Sequence, residues 1–157
     1  EHGIYNNEKC FYDETFRVPF LVIWDGVVKP GRISNRAYSQ IDIGPTIMDM
    51  AGIVNYENTM TGTSIFDRNS SNPVFLVQPY NGRYLQVVDY PHKYIMHIQT
   101  QKEYLFNLEA DPAEKNNLVH ESESVDKTLF MKNILGRVHL NQKLIDENMI
   151  RPAAAQR

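Results

Sequence analysis

Residues 73–106 read PVFLVQPYNGRYLQVVDYPHKYIMHIQTQKEYLF, and this stretch decides the architecture of the C-terminal half. Four runs rich in Val, Ile, Leu, Phe and Tyr occupy residues 73–77, 84–89, 93–98 and 103–106. Turn signals separate them: Asn81-Gly82, Tyr90-Pro91-His92 and Thr100-Gln101. Short apolar and β-branched runs bounded by such turns are β-strands. The connections fall short of the dozen or so residues that a parallel crossover needs, so the strands pair antiparallel.

Toward the C-terminus, Asp111-Pro112 opens another turn. Residues 125–150 then carry apolar side chains at Met131, Ile134, Leu135, Val138, Ile145 and Met149, mostly three or four apart, and stop before Pro152. That period predicts a long amphipathic helix behind the sheet. Toward the N-terminus, residues 55–72 are polar and turn-rich, as a connecting loop is. Residues 41–52 predict a short helix, with Asp42 as N-cap, Pro45 in the first turn and Gly52 as the stop. Ile43, Ile47, Met48 and Ala51 share one face of it, so it is expected to pack on a sheet. Further upstream, Pro30-Gly31 marks a turn. Residues 16–24 form an apolar run closed by Asp25-Gly26, the pattern of a strand buried on both faces of a mainly parallel sheet. The first strand and helix read as the edge of an α/β domain, and the remainder of the chain as a small antiparallel sheet with a long helix. The boundary is expected between residues 60 and 72, which gives units of 1–66 and 67–157.

Bulk properties restrict the function classes. The chain has 157 residues, 42% of them hydrophobic and 22% charged, a globular composition. Sixteen basic against nineteen acidic side chains give a net charge of −3, with no Lys/Arg cluster, so no case for nucleic-acid binding arises. The longest apolar stretch, residues 18–24, is far below the roughly 20 residues a membrane helix needs. Cys10 is the single cysteine, so no internal disulfide forms. The chain opens on Glu1-His2-Gly3 without an initiator Met and is read as the C-terminal part of a longer protein.

Four motifs in order carry a family resemblance. The first is His2-Gly3 leading through Lys9 to Tyr12-Asp13-Glu14 and Arg17-Val18-Pro19; the second is the helix Asp42-Ile43-Gly44-Pro45-Thr46 through Asp49, Ala51 and Gly52. The third is Thr61-Gly62-Thr63-Ser64-Ile65. The fourth couples Lys93-Tyr94-Ile95 to Tyr104-Leu105-Phe106-Asn107-Leu108, Asp111-Pro112, Glu114 and Asn117-Leu118. Together these resemble the C-terminal portion of the sulfatases, in the alkaline phosphatase superfamily, from residue 1 to about residue 120. The resemblance implies a sulfuric ester hydrolase that uses a formylglycine, made from the Cys or Ser of a Cys/Ser-x-Pro/Ala-x-Arg motif, beside a bound calcium. Neither that motif nor the metal-binding Asp pairs occur in this chain, and Cys10 runs into Phe11-Tyr12. Nucleophile and metal ligands are therefore expected upstream, in a missing N-terminal catalytic part, and the segment alone is expected to be inert. The family also implies a periplasmic, extracellular or lysosomal location, and a sulfate-ester small molecule or saccharide as substrate.

Lys9 is the leading candidate for chemistry: a fixed ammonium stabilises charge developing on the oxygens of a sulfate ester, and the resemblance gives this lysine the sulfate contact. The competing reading is a solvated surface lysine. His2 has a side chain able to donate or carry a proton near neutrality, against the plainer reading of a surface histidine. Asp13 or Glu14 is expected to pair with Arg17 and brace the loop that bears Lys9. Asn116-Asn117-Leu118 reads as a structural signature. His92 and His97, with Tyr80, Arg83 and Tyr84, fall on the small sheet, where ordinary sheet and turn residues are the simpler reading. His120 and His139 lack companions at ligand spacing, so no metal site is expected in this segment. Two other functions stay open. One is a phosphonate monoester or phosphodiester hydrolase, or a phosphoglycerol transferase, of the same superfamily; the Lys9-to-Tyr12 interval of three residues is compatible with the phosphonate hydrolases. The other is a non-catalytic binding domain.

Overall fold

A computed structural model describes residues 11–31, 35–53, 61–67, 73–78, 83–121, 127–147 and 149. Its centre is an antiparallel sheet of four strands in sequence order: β1 (Val74–Gln78), β2 (Tyr84–Asp89), β3 (His92–His97) and β4 (Glu103–Asn107). Register is set by the short turns, with Val88 opposite Lys93 and Lys93 opposite Phe106 across the middle of the sheet. The strands lie within two residues of the sequence expectation. Of the turns, Tyr90-Pro91 and Thr100-Gln101 form as expected, Gln101 taking a positive φ of 56°; Asn81-Gly82 lies outside the described residues.

Alternation along the strands builds two cores. One face carries Val87, Tyr94, Met96 and Leu105, on which the helix α3 (Lys127–Asp146) lays Phe130 and Ile134. Tyr94 stacks on Phe130 with ring centroids 5.9 Å apart. The helix runs as the period predicts, but Leu135 and Val138 of its expected apolar stripe are exposed, as is Leu140. The opposite face carries Ile95 and Phe106, covered by Phe11 from the N-terminal segment and ringed by Tyr12, Tyr84 and Tyr104. The free edge of β4 is capped by the segment after the Asp111-Pro112 turn. Asn117 Oδ1 accepts the Leu105 and Val119 N–H groups at 2.9 and 3.1 Å, and the Leu118 N–H bonds Leu105 O at 2.8 Å. An Asn-Leu pair at this place thus satisfies backbone groups that an edge strand leaves bare.

The N-terminal half departs from expectation in two ways. A single helical turn, α1 (Asp13–Phe16), precedes residues 17–24, which form no strand and stand exposed, Leu21 at 80% and Ile23 at 84%. A strand requires hydrogen-bonded neighbours, and no described strand pairs with this run. Helix α2 (Ile43–Met50) forms after a 3-10 turn (Gln40–Asp42) and ends at Gly52, whose φ of +70° suits glycine. Its apolar face packs on no sheet, however: Ile43 and Ile47 are exposed, and Pro45 and Thr46 are the buried residues. Asp42 does not cap α2 with its side chain; its carboxylate turns instead to the backbone of Ser39 and Thr63.

Candidate functional site

The main concentration of buried charge lies where the N-terminal segment meets the sheet. Lys93, the second residue of β3 and paired with Val88 on one side and Phe106 on the other, has a fully buried side chain, 0% exposed. Its Nζ sits 2.9 Å from Asp13 Oδ1 and 2.7 Å from Glu114 Oε1. Glu114 Oε2 also accepts the backbone N–H of Asp13 at 2.5 Å. One lysine from the sheet and one carboxylate from the post-β4 turn therefore hold both the side chain and the backbone of Asp13.

Each participant is placed by a local sequence feature. Asp13 heads α1, where its N–H has no intrahelical partner and is free to reach Glu114. The Asp111-Pro112 turn closes through the Glu114 N–H to Asp111 O at 3.1 Å, and Glu114 adopts a positive φ of 51°, which aims its side chain back under the sheet. Asp111 Oδ2 accepts the Asn116 N–H at 2.7 Å, fixing the chain beyond the turn. Burial pushes the Glu114 carboxyl above its ordinary value, and Lys93 and the Asp13 N–H pull it back only in part. Two carboxylates share one buried ammonium, so removal of Lys93 alone would strand Glu114 in the interior without a cation.

A second polar cluster joins α2 to residues 61–67. Asp42 Oδ1 accepts the Thr63 N–H at 2.9 Å and Oδ2 the Ser39 N–H at 2.8 Å. Thr46 Oγ1 accepts the Ile65 N–H at 3.1 Å, and Ser64 donates to Asp49 Oδ2 at 2.6 Å. Gly62 must be glycine here, since a Cβ would stand 2.2 Å from Ile41 O. The second and third sequence motifs are thus two halves of one staple. A groove of about 330 Å³ opens beside it, between Ser39, Asp42 and Thr61, the β1 edge, and Arg137 of α3. The groove shares no lining residue with the Lys93 cluster.

The residues proposed for catalysis from sequence, Lys9 and His2, lie outside the described residues. So does Tyr80. Of the three bracing residues, Asp13 makes its ion pair with Lys93 rather than with Arg17, because the buried ammonium needs an anion and the exposed guanidinium does not. Glu14 is exposed on α1. His97 accepts the Thr100 N–H on Nδ1 at 3.1 Å and packs edge-on against Tyr84, so it serves the β3–β4 turn. His92 lies at the start of β3, 6.4 Å from the Phe130 ring. Among the described residues, no three His, Cys, Asp or Glu side chains gather as a metal site. Sequence reasoning places Lys93 and Glu114 within motifs without assigning them a task. The available signal is a lysine inside an apolar strand, where only paired burial is tolerable.

A family profile described as N-sulphoglucosamine sulphohydrolase, C-terminal, matches residues 1–141 and so spans both polar clusters. A search of curated proteins found no match. Among solved structures, a protein from Bacteroides thetaiotaomicron VPI-5482 assigned to the sulfatases is similar at 21% identity, with a TM-score of 0.61 over 89% of this chain and 32% of its own. A 2-O GAG sulfatase is similar at 21% identity and a TM-score of 0.42, covering 68% of this chain and 24% of that one. A third, in complex with its substrate D-glucosamine-2-N,6-O-disulfate, has 18% identity and a TM-score of 0.40, covering 73% of this chain and 25% of that one. This chain thus spans about a third or less of the length of these structures, and the first carries the likeness of fold. With 141 of its 157 residues matched, the chain belongs to the N-sulphoglucosamine sulphohydrolase C-terminal family of sulfatases.

Proposed function

We propose that this chain is the C-terminal part of a sulfuric ester hydrolase acting on a sulfated saccharide. The observation that carries the reading is the family match across residues 1–141. The four-stranded sheet with its helix, similar in fold to a sulfatase-assigned structure, supports it. So do residues 17–24, an apolar run left bare here that would gain neighbours in the sheet of a catalytic domain. Formylglycine and calcium would be supplied upstream, since this sequence holds neither the nucleophile motif nor a cluster of ligands among its described residues. Formylglycine would supply the nucleophile there, and calcium would offset the charge of the sulfate group. This chain's own contribution is Lys9, whose ammonium would meet a non-bridging or leaving oxygen of the ester. His2 is the second candidate, as a donor to the leaving group. A periplasmic, extracellular or lysosomal location is proposed with it, as the family resemblance implies.

The test is the full-length protein, mapped by mass spectrometry for formylglycine upstream of Glu1 and assayed with D-glucosamine-2-N,6-O-disulfate, 4-nitrocatechol sulfate and a phenyl phosphonate monoester. Formylglycine with sulfate release is the expected result. Cleavage of the phosphonate alone, or an unmodified Ser or Thr at the nucleophile, would assign the protein to the phosphoryl branch of the superfamily. Absence of any turnover with no nucleophile motif upstream would leave a binding domain.

A further inference from the structure

The two edges of the sheet are finished differently. Beyond β4, the Asn117 side chain and the Leu118 N–H satisfy the outward backbone of Leu105. β1 has no such cover: among the described residues, the backbone groups of Val74 to Val77 make no hydrogen bond outside the ladder to β2. Edge strands are ordinarily guarded against further pairing by a charge, a proline or a bulge. Val74-Phe75-Leu76-Val77 carries none of these, being apolar throughout and in unbroken register with β2. This bare edge is one wall of the groove of about 330 Å³, which falls at the lower end of the size range of ligand pockets. Ile41, Val77 and Val138 also line it and are 48%, 59% and 51% exposed, so the walls offer apolar surface to an occupant.

A second unsatisfied group borders the same groove. Arg137, half-buried on α3, has its guanidinium 5.8 Å from the Phe75 ring centroid and 3.5 Å from Thr61 Oγ1. Among the described residues it forms no ion pair with a carboxylate. Asp42, the acid on the groove wall, has both oxygens engaged by the Ser39 and Thr63 N–H groups. A guanidinium partly withdrawn from water and lacking an anion is ready to bind a carboxylate through two parallel N–H groups. Open strand backbone, apolar walls and one uncompensated cation together match an extended polypeptide. Its main chain pairs with β1, alternate apolar side chains meet the walls, and an acidic side chain meets Arg137. An anionic sugar would satisfy the cation and leave the strand backbone bare. We propose that the groove between β1 and α3 is a docking site for an extended, apolar-acidic segment of a partner protein, added as a fifth strand along β1 with a carboxylate on Arg137. The site lies apart from the residues assigned to ester hydrolysis and does not depend on that activity.

The test is titration of the full-length protein with the acetylated, amidated peptide Thr-Val-Thr-Glu-Thr-Val, which puts Val, Glu and Val on one face of a strand. Binding is read by calorimetry, and its place by hydrogen exchange of residues 73–78. The variants are Arg137→Ala, Arg137→Glu and Val77→Lys, the last a charge set on the edge as a guard. Both positions are partly or largely exposed, so the fold is expected to persist, and circular dichroism verifies it. The expected result is saturable binding with slowed exchange in β1. Arg137→Ala, Val77→Lys, or Lys in place of the peptide's Glu should each weaken it about tenfold or more, and Arg137→Glu should regain affinity for the Lys peptide. Absence of saturable binding to the wild-type protein would overturn the proposal, as would binding that neither Arg137→Ala nor Val77→Lys changes. Slow exchange of residues 73–78 before any peptide is added would also overturn it. The edge would then be covered by the longer polypeptide itself or, where protection rises with protein concentration, by a second copy. Binding of D-glucosamine-2-N,6-O-disulfate that is lost in Arg137→Ala, with no binding of the peptide, would make the groove a saccharide site instead.

Discussion

Residues 17–24 and strand β3 invert the usual relation between apolar content and burial. The first run, Arg17 followed by Val18, Pro19, Phe20, Leu21, Val22, Ile23 and Trp24, has the higher hydrophobic content, yet most of it faces solvent and it forms no strand. The second, His92–His97, contains two histidines and a lysine, yet Lys93, Tyr94 and Ile95 are all at 0% exposure. The difference lies in neighbours. β3 sits between β2 and β4 with its backbone paired on both sides, and its one charge meets two carboxylates. Residues 17–24 have the side chains of a buried strand without a ladder to join. Hydrophobicity supplies the drive to bury a segment, and backbone pairing decides whether the segment becomes a strand.

That comparison can be broken at its strongest point by Lys93→Ala. Removal of the ammonium leaves the buried Glu114 and the part-buried Asp13 without their cation, which is expected to cost ~3–5 kcal/mol in urea denaturation. A loss below about 1 kcal/mol would mean that water or a shift of α1 reaches the cluster and that β3 does not depend on its charges. The N-terminal region is held by polar staples, so Gly62→Ala tests whether these are as demanding as the sheet. With a backbone oxygen 2.2 Å from the new Cβ, a loss of ~1–3 kcal/mol is expected, read as a lower midpoint at unchanged slope. Ile23→Lys should do least. At 84% exposure, it is expected to change the stability of this chain by no more than about 0.5 kcal/mol. The same substitution in the full-length protein sharpens the contrast: a loss of ~2 kcal/mol or more there would show that the run is buried once a catalytic part covers it.

Much of the C-terminal half is legible in the sequence because its signals are local. Period-two runs, closely spaced turns and an i, i+3, i+4 stripe predict β1 to β4 and α3 without any knowledge of distant contacts. The tight turns leave only antiparallel pairing open, and the observed order is the sequence order. Asn117-Leu118 reads as structural, and the Asn117 side-chain oxygen indeed caps the β4 edge. In the N-terminal half the same rules assign elements by composition and meet a chain without a sheet to receive them. Helix α2 stands at its Pro and Gly signals, but the sequence expectation for its packing face fails. Its apolar face packs on no sheet, while Asp42, Thr46 and Asp49 bind the 61–67 segment.

The candidate site divides in the same manner. Motif spacing points to the Lys9–Arg17 segment, and the sequence reading pairs Asp13 or Glu14 with Arg17 as a brace for that loop. The structure gives Asp13 to Lys93 and Glu114 instead, because a desolvated ammonium gains far more from an anion than an exposed guanidinium does. Sequence by itself determined the family, the strand order and the turn that aims Glu114, all of which arise from short-range pattern. Only the tertiary structure decided which charges meet, since residues 13, 93 and 114 converge through the register of the sheet and the burial it creates. Spacing along a chain carries no record of the dielectric in which two side chains will finally stand.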